Sequence, residues 1–340
     1  MSSTFEYYLE NILCNLQSPA TDHEDFYTVQ EFVLNLVKNN RLVKSTCNVN
    51  GIGFGSTAHG IRMYDNDEYD VMLELEFPYY ENICVRPDLH RPGMVHLDFK
   101  DLPYNDFTED LLLDHRCYLL REKVQTWMQS ILLDVSGRTV TGKGYSSFYL
   151  RYKPGYNCHT IWAESDSHTF SIDFMPAIKV IFDDMDCQVV PMAAEGPKRS
   201  HGCTFMVSDV REEIRLFEEG GMFVQKAVML LKALCETKGL PKIHNYHLVT
   251  CAINVIARDD FENLNLENVF INILGHLVDA LEQHSLPYLG YMDRNLLSNF
   301  KPQQLNEYID ILDSAFTTLK TYHHQYNLSY ERCSSHFLTE

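Results

Sequence analysis

Three carboxylates carry the strongest chemical signal in the chain. Glu68 and Asp70 stand two residues apart in Glu68-Tyr69-Asp70, inside an alternating run that ends at Phe77. Side chains two apart on a strand share a face. Two negative groups a few ångströms apart repel, and one takes up a proton unless a cation neutralises the pair. Mg²⁺ binds one or two carboxylates together with phosphate oxygens. A third carboxylate on a neighbouring strand would complete a two-ion site. Asp173, in Phe170-Ser171-Ile172-Asp173-Phe174, is the candidate. In such a site one ion activates an attacking hydroxyl and the other stabilises the leaving oxygen. Upstream, Asn50-Gly51-Ile52-Gly53-Phe54-Gly55-Ser56 reads as a glycine-rich turn. Its backbone N–H groups and the Ser56 hydroxyl suit phosphate. Taken alone, an E-x-D pair also fits a solvated strand face, and a Gly-Ser dipeptide carries little information. The order of the three features is what points to phosphate chemistry.

The elements that must position these residues are legible as patterns. Thr21-Asp22-His23-Glu24 has capping-box spacing, and Phe26, Val29, Phe32, Val33, Leu36 and Val37 follow at helical intervals. A long helix is predicted from about Asp22 to Asn40. In the run from Glu68 to Phe77, Tyr69, Val71, Leu73, Leu75 and Phe77 share one face. Glu68, Asp70, Met72, Glu74 and Glu76 share the other. A helix is predicted near Tyr118 to Leu133, and strands over Ser146 to Arg151, His159 to Ala163 and Thr169 to Phe174. Glu195 to Ser200 reads as a loop or hinge. Beyond it, Asp209 to Glu218, Phe223 to Lys238, Tyr246 to Arg258, Leu264 to Gln283 and Gln304 to Tyr326 all read as helical. A mixed α/β half, residues 1–200, is thus followed by a helical half, residues 201–340.

Composition limits the function classes. The 340 residues are 45% apolar and 12% aromatic, which excludes a mostly disordered chain. The net charge of −19 opposes sequence-blind DNA binding through many phosphate contacts. It leaves open a local basic groove, and anion binding through metal ions. No apolar run reaches the length of a membrane helix, so no membrane partner is expected. The start, MSSTFEYYLENILCNL, lacks the basic n-region of a signal peptide. Ten cysteines without a CxxC pair favour reduced thiols, and a cytoplasmic protein is expected.

Gly53-Phe54-Gly55-Ser56, then Glu68-Tyr69-Asp70-Val71-Met72 and Phe170-Ser171-Ile172-Asp173, resembles the cyclic GMP-AMP synthase-like receptors. These belong to the wider male-abnormal group of nucleotidyltransferase-fold proteins. Asn245-Tyr246-His247, opening a helix, is similar to the segment whose tyrosine stacks on a base. The resemblance implies an α/β, bilobed nucleotidyltransferase fold. A long N-terminal helix braces a twisted mixed sheet, and a C-terminal helical lobe closes the active-site cleft. By motif, Glu68, Asp70 and Asp173 are the catalytic and metal-binding carboxylates for two Mg²⁺ or Mn²⁺ ions. Gly55 and Ser56 meet the triphosphate, and Tyr246 stacks on a base. Either Lys226 or Lys232 is the phosphate-facing lysine. The base-reading Arg and Ser of the vertebrate DNA-sensing relative fall at Thr204 and Met206. That relative's zinc insertion has no counterpart here. His201 and Cys203 supply only two of four ligands, so no structural zinc is expected.

The implied activity is a ligand-activated joining of two NTPs, ATP and GTP or others, into a cyclic dinucleotide of innate immune sensing. The product would act on a STING-type receptor. The resemblance further implies a double-stranded RNA activator lying on Lys38, Arg41, Lys44, Lys198 and Arg199, with Lys238 and Lys242 extending the surface. These residues also fit a solvated surface. The alternative is a catalytically silent nucleotidyltransferase-fold binding or scaffold protein.

Overall fold

A computed structural model describes residues 3–17, 23–63, 67–103, 108, 112–142, 146–155, 157–192, 202–258 and 264–338. The chain forms two compact units. One comprises Ala20–Phe54 and Asp67–Val210; the other comprises Met1–Pro19, Gly55–Asn66 and Arg211–Glu340. This differs from a single cut at residue 200, for an apolar reason. Helix α1 (Thr4–Leu16) buries Phe5, Leu9, Ile12 and Leu13 in the core of the second unit, and Ile61 joins the same core. Burying these side chains outweighs closeness in sequence, at roughly 25 cal/mol per Å² of apolar surface.

In the first unit, α2 (His23–Asn39) matches the predicted long helix. Phe26, Val29, Val33 and Val37 are its fully buried stripe. The proposed Thr21 and Asp22 cap, like the hinge at 195–200, lies outside the described residues. After the single-turn α3 (Arg41–Thr46) comes β1 (Asn48–Phe54). The stretch read as a glycine-rich turn is therefore mostly strand. It pairs antiparallel with β2 (Glu68–Glu76), from Asn48↔Glu76 to Phe54↔Asp70. Gly51 serves packing, since a Cβ there would stand 2.6 Å from the Leu34 side chain. The turn itself starts at Gly55, whose φ of +69° favours glycine.

The sheet runs on through β3 (Cys84–Pro87), β4 (Met94–Asp98), β5 (Thr139–Thr141), β6 (Ser147–Pro154), β7 (His159–Glu164), β8 (Thr169–Phe182), β9 (Met185–Pro191) and β10 (Phe205–Ser208). Its order is β3-β4-β10-β9-β8-β7-β6-β5, with β2 on β8 and β1 on β2. Among the described pairings only β2 and β8 are parallel. Pro176 is tolerated inside β8 because the ladder to β7 ends at Phe174 and that to β9 begins at Ile178. The more polar face of β2 is not solvated along its whole length, as alternation alone would predict. Met72 and Glu74 are buried, and Glu74 accepts hydrogen bonds from Gln188 at 2.8 Å and Asn50 at 3.3 Å. Helix α5 (Arg121–Leu132) completes the unit's long helices.

The second unit holds α1, the short α4 (Gly55–Ala58), and α6 (Val210–Glu219), whose first residue belongs to the sheet unit. It continues with α7 (Gly221–Thr237), α8 (Asn245–Ile256), α9 (Leu266–Glu282), α10 (Pro302–Tyr322) and α11 (Tyr330–Ser334). A small hairpin of β11 (Pro287–Tyr288) and β12 (Tyr291–Asn295) completes it. Helix α7 is buried almost all round from Ala227 to Cys235, as expected of a central core helix.

What holds α2 on the sheet is specific. The Phe26 ring stacks on Tyr69 of β2, with centroids 4.0 Å apart and planes 6° from parallel. Phe26→Ala is expected to destabilise this unit by about 3 kcal/mol, measured by urea unfolding. A loss below about 1 kcal/mol would mean that other contacts seat the helix.

Candidate functional site

The predicted carboxylates sit in the sheet unit, where one row of in-register residues crosses four strands. It runs Phe54 on β1, Asp70 on β2, Asp173 on β8 and Thr160 on β7. In-register neighbours project from the same face, so Asp70 and Asp173 are set side by side by the parallel pairing. Glu68 lies one row further along, opposite Ser171, at the exposed start of β2.

Asp173 is oriented by two donors. Thr160 Oγ1 donates to Oδ1 at 2.6 Å, and Cys158 Sγ donates to Oδ2 at 3.4 Å. Burial first, then the charge and hydrogen bond of Asp173, push the Cys158 thiol up to about 12, so it remains a neutral donor. Sequence reading did not single out Cys158 or Thr160. Thr160 on the strand preceding that of Asp173, with Cys158 just before that strand begins, was the available signal. Asp70 has no such support. Burial, then the charges of Asp173 and Glu68, push its carboxyl up to about 7. Among the described residues no Lys or Arg forms an ion pair with Asp70 or Asp173.

Asp70 and Asp173 therefore have the chemistry of a divalent-cation pair: adjacent carboxylates whose repulsion a cation would relieve. Among the described residues, no three His, Cys, Asp or Glu side chains close into a ready-made ligand set. The fit is that of two strand aspartates with Glu68 as an outer third. Substrate phosphate oxygens would supply the remaining ligands.

The other predicted residues lie in the helical unit. Ser56 is buried within the turn after Gly55, where its carbonyl accepts from Ile61 N–H at 2.9 Å. Lys226 and Lys232 are six positions apart on α7, about 120° around the helix, so they face different ways. Lys226 is bound to Glu10 of α1, its Nζ 2.8 Å from each carboxylate oxygen. Lys232 is buried. The Tyr246 ring stacks on Tyr288 with centroids 5.5 Å apart, and its hydroxyl is hydrogen-bonded to Glu213 and Tyr288. Burial and these neighbours hold its phenol well above the usual range.

Two further expectations concern the sheet unit. Thr204 is fully buried and donates to the Met192 carbonyl at 3.0 Å, so its hydroxyl is already committed. Lys38, Arg41 and Lys44 are exposed, and the two lysines border an open groove of about 500 Å³ with Asn48, Asn50 and Glu76. Lys198 and Arg199 lie outside the described residues, as does His201.

Residues 57–185 match the model of the Mab-21 protein nucleotidyltransferase domain, and residues 223–314 match that of the Mab-21 protein HhH/H2TH-like domain. The chain belongs to the Mab-21 nucleotidyltransferase family. The first match contains all three carboxylates, and the second contains Lys226, Lys232 and Tyr246. The chain is 25% identical to a cyclic GMP-AMP synthase-like receptor of Lucilia cuprina. That alignment covers 87% of this chain and 86% of the relative. It is 26% identical to cyclic GMP-AMP synthase-like receptor 1 of Drosophila melanogaster, over 63% of this chain and 64% of that protein. To receptor 2 of the same fly it is 32% identical, over 33% of this chain and 28% of that protein. No helix of the described residues is long and apolar enough to cross a membrane.

The sign of the Asp70 shift yields a stability test. The folded protein keeps this proton to about pH 7, whereas an unfolded aspartate releases it near 3.8. Between those values the folded state binds more protons, so metal-free stability falls as pH rises through the window. Asp70→Asn is expected to raise the melting temperature at pH 8 in EDTA, with the gain shrinking toward pH 4. A variant less stable than wild type at pH 8 would show that the carboxylate has a stabilising partner there.

Proposed function

We propose that this Mab-21 nucleotidyltransferase joins two nucleoside triphosphates into a cyclic dinucleotide. The observation that carries this reading is Asp70 set in register beside Asp173, with its carboxyl pushed up to about 7. A strand pair with this much electrostatic cost suits a site completed by cations and phosphate. Asp70, Asp173 and Glu68 would hold Mg²⁺ or Mn²⁺. Bound there, the ions supply activation of the attacking hydroxyl and neutralisation of the leaving pyrophosphate. Thr160 and Cys158 hold Asp173 in place. From the helical unit the reading takes Ser56 and either Lys226 or Lys232 as phosphate contacts and Tyr246 as the base contact.

The chemistry is an in-line displacement. A ribose hydroxyl of one nucleotide attacks the α-phosphorus of the other. An O–P bond forms, the bond to the β-phosphate oxygen breaks, pyrophosphate leaves, and the hydroxyl proton is lost. A second such attack, within the linear intermediate, closes the ring. The relatives' names, cyclic GMP-AMP synthase-like receptor, support ATP and GTP as substrates; a role in innate immune signalling through a STING-type receptor is part of the proposal. Activation by double-stranded RNA is part of the proposal. Its support is the exposed Lys38, Arg41 and Lys44 on a chain of net charge −19. A silent scaffold is the second reading. What favours it is the thinness of the basic surface, three exposed cations on a chain of net charge −19.

The decisive experiment incubates the pure protein with labelled ATP, GTP, CTP and UTP and Mg²⁺ or Mn²⁺. Parallel arms hold no ligand, long double-stranded RNA or double-stranded DNA. A phosphatase-resistant product is expected with Mn²⁺ or Mg²⁺ and RNA. It should fall by at least a hundredfold in Asp70→Asn plus Asp173→Asn. Nucleotide binding with no product in any arm would favour the scaffold.

A further inference from the structure

A buried polar chain in the helical unit ties the Gly55-Ser56 turn to two helices. His59, 3% exposed, follows α4. Its backbone N–H donates to the Gly55 carbonyl at 3.2 Å, and its ring Nδ1 lies 2.7 Å from the same oxygen. A carbonyl only accepts, so Nδ1 carries a proton, and Glu213 holds the ring only where Nε2 carries one as well. Nε2 lies 3.0 Å from Glu213 Oε1 on α6, close but not aligned as a directed hydrogen bond. Phe217, one turn on, meets the imidazole edge-on at 5.1 Å. The Glu213 carboxylate is 7% exposed, and it also accepts the Tyr246 hydroxyl of α8. A carboxylate so deeply buried persists only where partners meet it.

Glycine at positive φ has the widest conformational freedom of any residue, so the Gly55 peptide does not hold its own direction. Two donors from one side chain and its backbone fix that carbonyl. We infer that His59 and Glu213 are positioning residues for nucleotide binding. Glu213 places the His59 ring, and Nδ1–H fixes the Gly55 carbonyl and so the presentation of Ser56. The same carboxylate places the Tyr246 ring. One buried acid thus sets both the phosphate-side turn and the base-side aromatic. This inference rests on the reading of Ser56 and Tyr246 as nucleotide contacts. Neither His59 nor Glu213 touches the reacting atoms.

Two isosteric variants separate positioning from packing. His59→Asn places an amide N–H where Nδ1 stands and keeps the Gly55 bond. His59→Gln reaches toward the Nε2 position and loses that bond. Both remove the ring and its Phe217 contact, so a purely structural role predicts equal effects. Two readouts are made on the full chain: amide hydrogen exchange at residues 56–61, and the affinity for a non-hydrolysable ATP analogue with Mg²⁺ by calorimetry. His59→Gln is expected to speed exchange and weaken affinity about five- to tenfold. His59→Asn should retain both wild-type values. Equal behaviour of the two variants overturns the inference. If the exchange difference appears but wild type binds no analogue, the nucleotide reading fails and the tie is structural only. Should neither His59 variant fold, Glu213→Gln is read in the same assays. It keeps an acceptor for Tyr246, and unchanged exchange and affinity would overturn the proposal.

Discussion

The parallel contact between β2 and β8 is the constraint on which the candidate chemistry depends. It alone brings Asp70 next to Asp173, residues more than a hundred positions apart in the chain. A parallel pair cannot be closed by a tight turn and needs a long crossover. Here β3 to β7 lie within that crossover. The register must also be exact to the residue, because a slip of one would send one aspartate to the opposite face. Two features hold it. Phe26 stacks on Tyr69, the residue between Glu68 and Asp70, and Phe170 packs edge-on against the same tyrosine from β8, at 5.7 Å. The apolar face of the strand pair thus locks the register that the acidic face requires.

The three carboxylates were legible because strand geometry turns a spacing of two into a shared face. Asp173 stood out as a charge inside an apolar strand. What alternation did not reveal was the burial of the far end of that face. Glu74 looks like a solvated acid in sequence, yet its partners, Asn50 and Gln188, come from strands that are distant or were not recognised. For the same reason β1 read as a turn. Gly51 reflects close packing against Leu34, and of the glycines in this stretch only Gly55 has the backbone that a turn demands. The helices of the C-terminal half were readable from their periodicity, whereas α1 was missed. Its stripe of Phe5, Leu9, Ile12 and Leu13 has helical spacing and is buried in the helical core.

The two compact units do not follow a single boundary in the chain. A cut near residue 200 follows a real change of character, from strands to helices. Burial does not follow chain order, however. Helix α1 and residues 55–66 carry apolar side chains that complete the helical core around α7. The Gly55-Ser56 turn consequently belongs to one unit while the strand that leads into it belongs to the other. Gly55 follows directly on Phe54, the partner of Asp70 in the β1–β2 ladder. A turn so placed needs a firm hold, and the polar ties of His59 supply it from within the helical unit.

The two polar clusters differ in a way that bears on function. Around Glu213 the partners come from inside the protein: the Tyr246 hydroxyl by hydrogen bond and the His59 ring by proximity, in a buried cluster. Around Asp70 it is not: the carboxyl is crowded by two other acids and pushed up to about 7. Sequences tend to satisfy every local rule except where a ligand is to complete the structure. A buried network that is complete acts as scaffolding, since nothing need arrive for it to be stable. A cluster of like charges is stable only with its counter-charge. Among the described residues no Lys or Arg pairs with Asp70 or Asp173, so a proton or a cation bound from solution relieves the repulsion. A dissolved cation meets that need and at the same time bridges to phosphate, which the acids alone would repel.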